Sequence, residues 1–328
     1  MDSCLTVTVT RGELVESVHR VALAVVDAEG RVVHQRGDVN RRRFLRSAAK
    51  PLQLLPLLEC GAAERLGFSN SELAVMAASH SGEEMHVELL RGVLARLELD
   101  VDLLKCGVVP PLSRRAAAAL EARDQRPTIL HHPCSGKHLA MLALCRDQGW
   151  PLDGYLHPDH PVQAAVDTVI SSMCSYPRAS FARGIDGCGA PVHGVPLMAM
   201  ALAFSRLARE ESEDIRRVRA ALTGYPLAAG GTGRLVSLVL AAGKGSLLAK
   251  DGSEGLFCVG WAGGGLAMKV EDGSDRALAP AFLEVAGGLG LLDAGSTGLE
   301  ELRRPKVRTS RGEEVGYVAC SGLETDLL

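Results

Sequence analysis

Aromatic side chains make up only 4% of the chain, too few to build stacking platforms for bases or sugars. Neither sign of charge is in excess: the formal net charge is −3, so the strongly basic surface that nucleic acid or an anionic membrane selects is missing. No apolar run is long and continuous enough to span a bilayer. Met1 to Leu5 lacks the basic and long apolar regions of a secretory signal. The nine cysteines are odd in number, follow no regular framework and include no C-x-x-C pair. That usage reads as reduced thiols in a cytoplasmic enzyme. What is present is a chain of 328 residues, 47% hydrophobic, with 36 glycines. It can bury a sizeable core as one large or two modest domains, with tight turns around a packed site.

Periodicity orders the chain. Residues 4–10 alternate apolar and polar with β-branched side chains and read as a half-exposed strand; Val18 to Val26 and Arg31 to Gln35 read as two more, joined by an Asp27–Gly30 turn. An apolar helix follows from near Ser47 through Leu58, with Pro51 tolerable in its first turn and Pro56 expected to kink or shorten it. Ser69 to Ser79 reads as a capped helix, with Ser69 or Ser71 as the cap, then Glu72 and an apolar run. Residues 84–98, 113–123, Lys137 to Asp147 and 161–176 carry helical periodicity, as do 194–208, 213–222 and 276–290. Residues 184–191 read as a loop by composition, and Gly230 to Arg234 as a tight turn opening a short helix. Leu247 to Val270 reads as an antiparallel meander of short strands, and Val307 to Val318 as one or two last strands. The expected fold is α/β (α+β): one unit over 1–328 with an antiparallel sheet built from both chain ends and a helical region inserted. Its sheet-and-helix lobe would be 1–70 with 190–328, and its helical lobe 71–189.

Three groups of residues carry chemistry. In Arg46-Ser47-Ala48-Ala49-Lys50 a hydroxyl and an amine stand at i and i+3, one face of a helix. A serine is a weak nucleophile until a neighbour takes its proton, and a lysine can do so once burial or nearby cations lower its pKa. The S-x-x-K pattern is the nucleophile motif of penicillin-binding proteins and serine β-lactamases, and the strand lysine of Lys250-Asp251-Gly252 mirrors their later K-T/S-G element. Lys269, without a glycine at that spacing, is the rival. Ser79, in Ala78-Ser79-His80-Ser81-Gly82, is suited to relay a proton. Cys134 and Cys188, each beside turn residues, could place two thiolates on one divalent ion such as zinc, with His138 or a neutral Lys137 third and Asp186 or water fourth.

Together these blocks resemble the bacterial L-asparaginases of the Rhizobium-inducible type, the third structural class of asparaginases. The resemblance runs over nearly the whole chain. It is carried by Arg46-Ser47-Ala48-Ala49-Lys50-Pro51, Ser79-His80-Ser81-Gly82, Cys134-Ser135-Gly136-Lys137-His138, Asp186-Gly187-Cys188-Gly189-Ala190-Pro191, Gly230-Gly231-Thr232-Gly233-Arg234 and Ala249-Lys250-Asp251-Gly252. His131-His132-Pro133 departs from it, since the family more usually has asparagine before the cysteine. The resemblance implies a serine β-lactamase-like fold, a homodimer, and hydrolysis of L-asparagine to L-aspartate and ammonia. It implies two catalytic pairs, Ser47 with Lys50 and Ser79 with Lys250. It also implies one modulatory zinc on Cys134, Lys137 and Cys188. Arg46, His80, His138, Asp186 and Gly231 are the candidate substrate contacts, and backbone amides around Ser47 the candidate oxyanion hole. The alternatives are another serine amidase, such as a glutaminase, or a sensor of amino acid or metal on the same fold.

Overall fold

The computed structural model describes residues 4–292 and 298–322. In chain order the strands are β1 (Leu5–Arg11), β2 (Leu14–Asp27), β3 (Val32–Arg36) and β4 (Arg42–Phe44). A 3-10 turn at Arg46–Ala49 leads into α1 (Lys50–Glu59), α2 (Ala62–Arg65), α3 (Asn70–Met76), α4 (Glu84–Arg96), α5 (Arg114–Glu121), α6 (Ser135–Gln148) and α7 (Pro161–Cys174). Then come β5 (Ala182–Ile185), β6 (Pro191–Pro196), α8 (Leu197–Arg209), α9 (Glu213–Gly224), α10 (Pro226–Ala229) and α11 (Leu235–Ala242). The chain closes with β7 (Leu248–Gly252), β8 (Leu256–Trp261), β9 (Gly264–Val270), α12 (Leu278–Gly288), α13 (Glu300–Arg303), β10 (Lys306–Arg308) and β11 (Glu314–Ser321). It is a mixed α/β chain that divides into two compact units. None of its described helices is long and apolar enough to cross a membrane.

The first unit comprises residues 1–43, 195–209 and 238–328. Its sheet runs β10-β11-β1-β2-β9-β8-β7, with β3 on β2, and the pairings described are antiparallel. The first and last strands are therefore neighbours, as the expectation of a sheet built from both chain ends requires. In β1 the odd positions Leu5, Val7 and Val9 are buried and the threonines between them are half-exposed, the period of two of a strand with one face packed. The other end of the sheet is covered on both faces. Phe257 on β8 meets Phe282 of α12 edge-to-face at 4.9 Å. On the opposite face a Cβ at Gly260 or Gly265 would strike the carbonyl of Phe204 or Ala201 in α8. Only glycine lets that helix approach so closely. β8 is accordingly buried at five of its six positions, which periodicity alone reads as an apolar run.

The second unit comprises 44–194 and 210–237. Residues 44–70 and 210–237 thus cluster with the inserted helices, so this unit is larger than the 71–189 expected for the helical lobe. Its centre is α1, buried from Lys50 to Leu58 because α6, α7 and α9 all pack on it. A helix apolar on every side must sit inside, and each leucine so buried contributes about 1.5–3 kcal/mol. That packing carries the helix past Pro56, where a kink or stop was expected, to Glu59. Pro51 occupies the first turn, where no amide donor is needed. Ser69 and Glu72 form the reciprocal cap of α3, as the sequence indicates. The stretch 184–191, expected to be loop, is a turn flanked by β5 and β6, whose pairing runs Ala182–Gly194 to Ile185–Pro191.

Candidate active site

Arg46 holds a left-handed backbone, φ +46°, rare for a side chain of this size and often kept where a function depends on it. The 3-10 turn that follows puts Ser47 and Lys50 in eclipsed positions. Ser47 is half-buried and Lys50 fully so. The amine does not bond Ser47, however. Lys50 Nζ donates to Ser79 Oγ at 3.1 Å and to the Pro133 carbonyl at 2.8 Å. Ser79 lies in the loop after α3, 29 residues downstream, so this pair is made by the fold and not by helical spacing. Burial pushes the Lys50 amine below its ordinary pKa; the Cys134 and Cys188 sulfurs oppose that shift and Lys137 reinforces it. A buried amine that sheds its proton readily is what a general base needs.

Cys134 stands at the N-cap position of α6, where the helix dipole favours a thiolate. A hydrogen bond from Cys188 holds the Cys134 thiol well below its usual range, against burial and with help from Lys50, Lys137 and His132. His132 Nδ1 accepts the Cys134 amide at 3.0 Å, so this histidine, the departure from the family pattern, is tied to the cysteine it precedes. Lys137 Nζ donates to Cys188 Sγ at 3.0 Å. Burial pushes Lys137 down, but the two sulfurs and Asp186 outweigh it and the amine is held above its ordinary pKa. The three residues expected to hold zinc are therefore brought together, and Cys106 packs with the two cysteines in one buried cluster; nothing in the sequence marks Cys106 out from the other thiols. Among the described residues no group of three or more His, Cys, Asp or Glu could hold a metal. The donor set here has two such residues, its third member being an amine. Two sulfurs and a nitrogen match the chemistry zinc prefers, on condition that Lys137 gives up its proton.

Arg46 and Asp186 pair with each other: Nε donates to Oδ1 at 2.8 Å. The same oxygen takes the Gly187 amide, and the Asp186–Ala190 turn closes through the Gly189 amide on the Asp186 carbonyl. A guanidinium beside a carboxylate is complementary to a zwitterionic head group. His80 has both ring nitrogens occupied within the protein. Nδ1 accepts the Gly82 amide at 3.2 Å, so Nε2 donates to Ser135 Oγ at 2.9 Å, and that hydroxyl donates to Leu130 O. It also stacks on His86, ring centroids 5.1 Å apart. These bonds make His80 a brace between the Ser79 loop and the start of α6. His138, one turn beyond Cys134, is wholly buried, and its Nε2 has no partner among the described residues. Gly231, at φ +130°, leaves room for Ser81, whose hydroxyl a Cβ there would strike. Ser81 Oγ in turn donates to the Gly230 carbonyl. At the head of α6, a Cβ on Gly136 would strike the Val75 carbonyl of α3, so glycine lets the helix that carries Cys134 and Lys137 seat close to the strand of chain leading to Ser79.

Lys250 belongs to the first unit. It is buried on β7, and Nζ donates to the Asp251 carbonyl at 2.8 Å and to its carboxylate at 2.5 Å. Lys269, half-buried on β9, donates to the Val270 carbonyl.

No curated protein matches the chain. Among solved structures it is similar to Mglu in its tris and glutamate form, at 16% identity over 83% of this chain and 60% of that one, TM-score 0.39. It is also similar to Mglu in its native form with 4.3 M NaCl, at 15% identity over 84% of this chain and 63% of that one, TM-score 0.40. The chain thus spans under two thirds of the length of those Mglu chains, and likeness at this level says nothing of its substrate. A family model described as L-asparaginase II, by contrast, matches residues 7–320. That span takes in every block from Arg46 to Lys250, and the chain belongs to the L-asparaginase II family.

Proposed function

We propose that the protein hydrolyses L-asparagine to L-aspartate and ammonia through an acyl-enzyme on Ser47, with Lys50 as general base. The observation that carries this reading is the wholly buried Lys50 amine, its pKa lowered, one eclipsed turn from Ser47 and 3.1 Å from Ser79. In the neutral amine one N–H stays on the Pro133 carbonyl and the lone pair is left for a hydroxyl. Ser47 Oγ attacks the side-chain amide carbon and its proton passes to Lys50. From there Ser79 carries it to the amide nitrogen, which leaves as ammonia only once protonated. Water then attacks the ester along the same path in reverse. The Arg46–Asp186 pair opens to receive the substrate's α-carboxylate on the guanidinium and its α-ammonium on the carboxylate. In this reading Lys250 is the second base, serving Ser79; that pairing rests on the resemblance. The serine β-lactamase-like architecture and the homodimer rest on it too, and a cytoplasmic location rests on the reading of the nine cysteines as reduced thiols.

Zinc, where bound, would be held by Cys134, Cys188 and Lys137 and would supply a fixed positive charge that orients the substrate. Its binding must release the Lys137 proton, so affinity should rise with pH. Titrating zinc into apo-protein at several pH values checks this, and Cys134→Ser should abolish the uptake.

Ammonia release from a panel of asparagine, glutamine and small linear amides tests the assignment. Turnover of asparagine above the others is expected. Absence of ammonia release from every amide would leave the sensor reading in its place.

A further inference from the structure

The mechanism does not use His138 and Tyr155, which meet beside these residues. His138 Nδ1 lies 2.6 Å from Tyr155 Oη, and the rings meet edge-to-face at 5.6 Å and 88°. Tyr155 is itself buried. Its Oη accepts the Lys105 backbone amide at 3.0 Å, and its carbonyl accepts Gln163 Nε2 at 2.8 Å. The phenol is therefore pinned at its ring, its hydroxyl and its backbone.

A hydrogen count assigns the protons. The Lys105 amide can only donate, so Oη accepts there and has one hydrogen of its own to place. If Nδ1 of His138 carried a proton, Oη would accept twice, the hydroxyl hydrogen would have no acceptor, and the Nε2 lone pair would have no donor. If the phenol donates to Nδ1, every one of those groups is satisfied except one. The exception is Nε2–H, buried and without a partner among the described residues. Leaving a single buried donor unmade is costly enough that such a group usually awaits a ligand or a water. His138 follows Lys137 directly, stands one turn beyond Cys134, and lies within electrostatic reach of both and of Lys50.

We propose that Tyr155 is a positioning residue: it holds His138 as the Nε2–H tautomer, so that His138 offers an uncharged donor to a carboxylate or carboxamide oxygen of the substrate. The substrate part rests on the amidohydrolase reading above. The tautomer does not.

Long-range 1H–15N spectra of histidine-labelled protein read the tautomer without substrate. His138 should show a protonated Nε2 in the wild type and a mixture of tautomers in Tyr155→Phe. KM for asparagine in Tyr155→Phe should rise about tenfold with kcat changed much less, since part of the protein then presents a bare Nε2 lone pair to the substrate oxygen. The side-chain amide of His138→Gln reaches as far as Nε2 and that of His138→Asn only as far as Nδ1, so the glutamine variant should recover most of the KM that the asparagine variant loses. This second pair keeps the test open should Tyr155→Phe fold poorly. A protonated Nδ1 in the wild type, or equal losses in the two His138 variants, overturns the proposal. A protein that shows the expected tautomer but binds no asparagine would instead refute the substrate reading.

Discussion

In the first unit β8 and β9 bury both faces under α8 and α12, and the packed groups are almost all hydrocarbon. Among the described residues of that unit the buried polar side chains are His19, Arg43, Ser205 and Lys250. The second unit is built the other way. Its core holds Lys50, Gln53, Ser79, His80, His86, Ser135, Lys137, His138 and Asp167, among others. Buried polar groups are costly unless partnered, and most of these are: Asp167, for instance, takes His193 and Arg183 at 2.6 Å each. Among the described residues the buried polar side chains thus gather in the second unit, beside a hydrocarbon core of its own, with Lys250 the proposed participant that the first unit holds. The expectation is that a hydrocarbon contact of the first unit can be cut with turnover kept, and that a polar group of the second can be replaced with the fold kept.

The sharpest way to break that contrast is at its centre. Ser47→Ala and Lys50→Met should each lower kcat on the order of 10³-fold or more while the protein stays folded, because a nucleophile and its base act as a unit. The wild-type rate should also fall as pH drops through the lowered Lys50 pKa, since the protonated amine cannot accept the serine proton, and level off above it. Near-wild-type turnover in either variant, with circular dichroism unchanged, would remove the Ser-Lys assignment. Ser79→Ala and Lys250→Ala come next. If they share one proton path, the double variant should be no slower than the worse single one; losses that multiply would mean that Lys250 acts elsewhere.

The hydrocarbon unit gives the converse. Phe282→Ala, which removes the ring packed on Phe257, should cost about 3–5 kcal/mol in denaturant unfolding and leave kcat per folded molecule unchanged. A fall in kcat with stability intact would erase the division between the units. The smallest effect is expected at the head-group pair. Arg46→Leu and Asp186→Asn should raise KM about ten- to a hundredfold, the size of one lost charge-assisted hydrogen bond, with kcat changed less. Steady-state kinetics over a range of asparagine concentrations up to saturation separates the two parameters.

Much of this was legible in the sequence because it is local. The alternation of β1, the Ser69–Glu72 cap and the meander of β7 to β9 each follow from neighbours a few residues apart. The blocks around Ser47, Cys134 and Cys188 could be named, and the fold brings Lys137 to Cys188 and Arg46 to Asp186. What was not legible depends on distance in three dimensions. The hydroxyl on Lys50 belongs to Ser79, although spacing pointed to Ser47. His80 fits a substrate contact by its block, yet both its nitrogens are spent on the protein. Tyr155 sits in a stretch with no motif, and its value lies in meeting His138 and the Lys105 amide at once. Pro56 looked like a helix breaker because propensity is weighed per residue, whereas α1 is held by packing on every side.

The claim beneath all of this is that Ser47, with Lys50 as its base, carries the acyl group. Rapid acid quench of the protein during asparagine turnover, followed by peptide mass mapping, reads that directly. The expected result is an aspartyl ester on the peptide containing Ser47, absent in Ser47→Ala. Steady ammonia release with no ester on any serine, or an ester on Ser79 in place of Ser47, would contradict it.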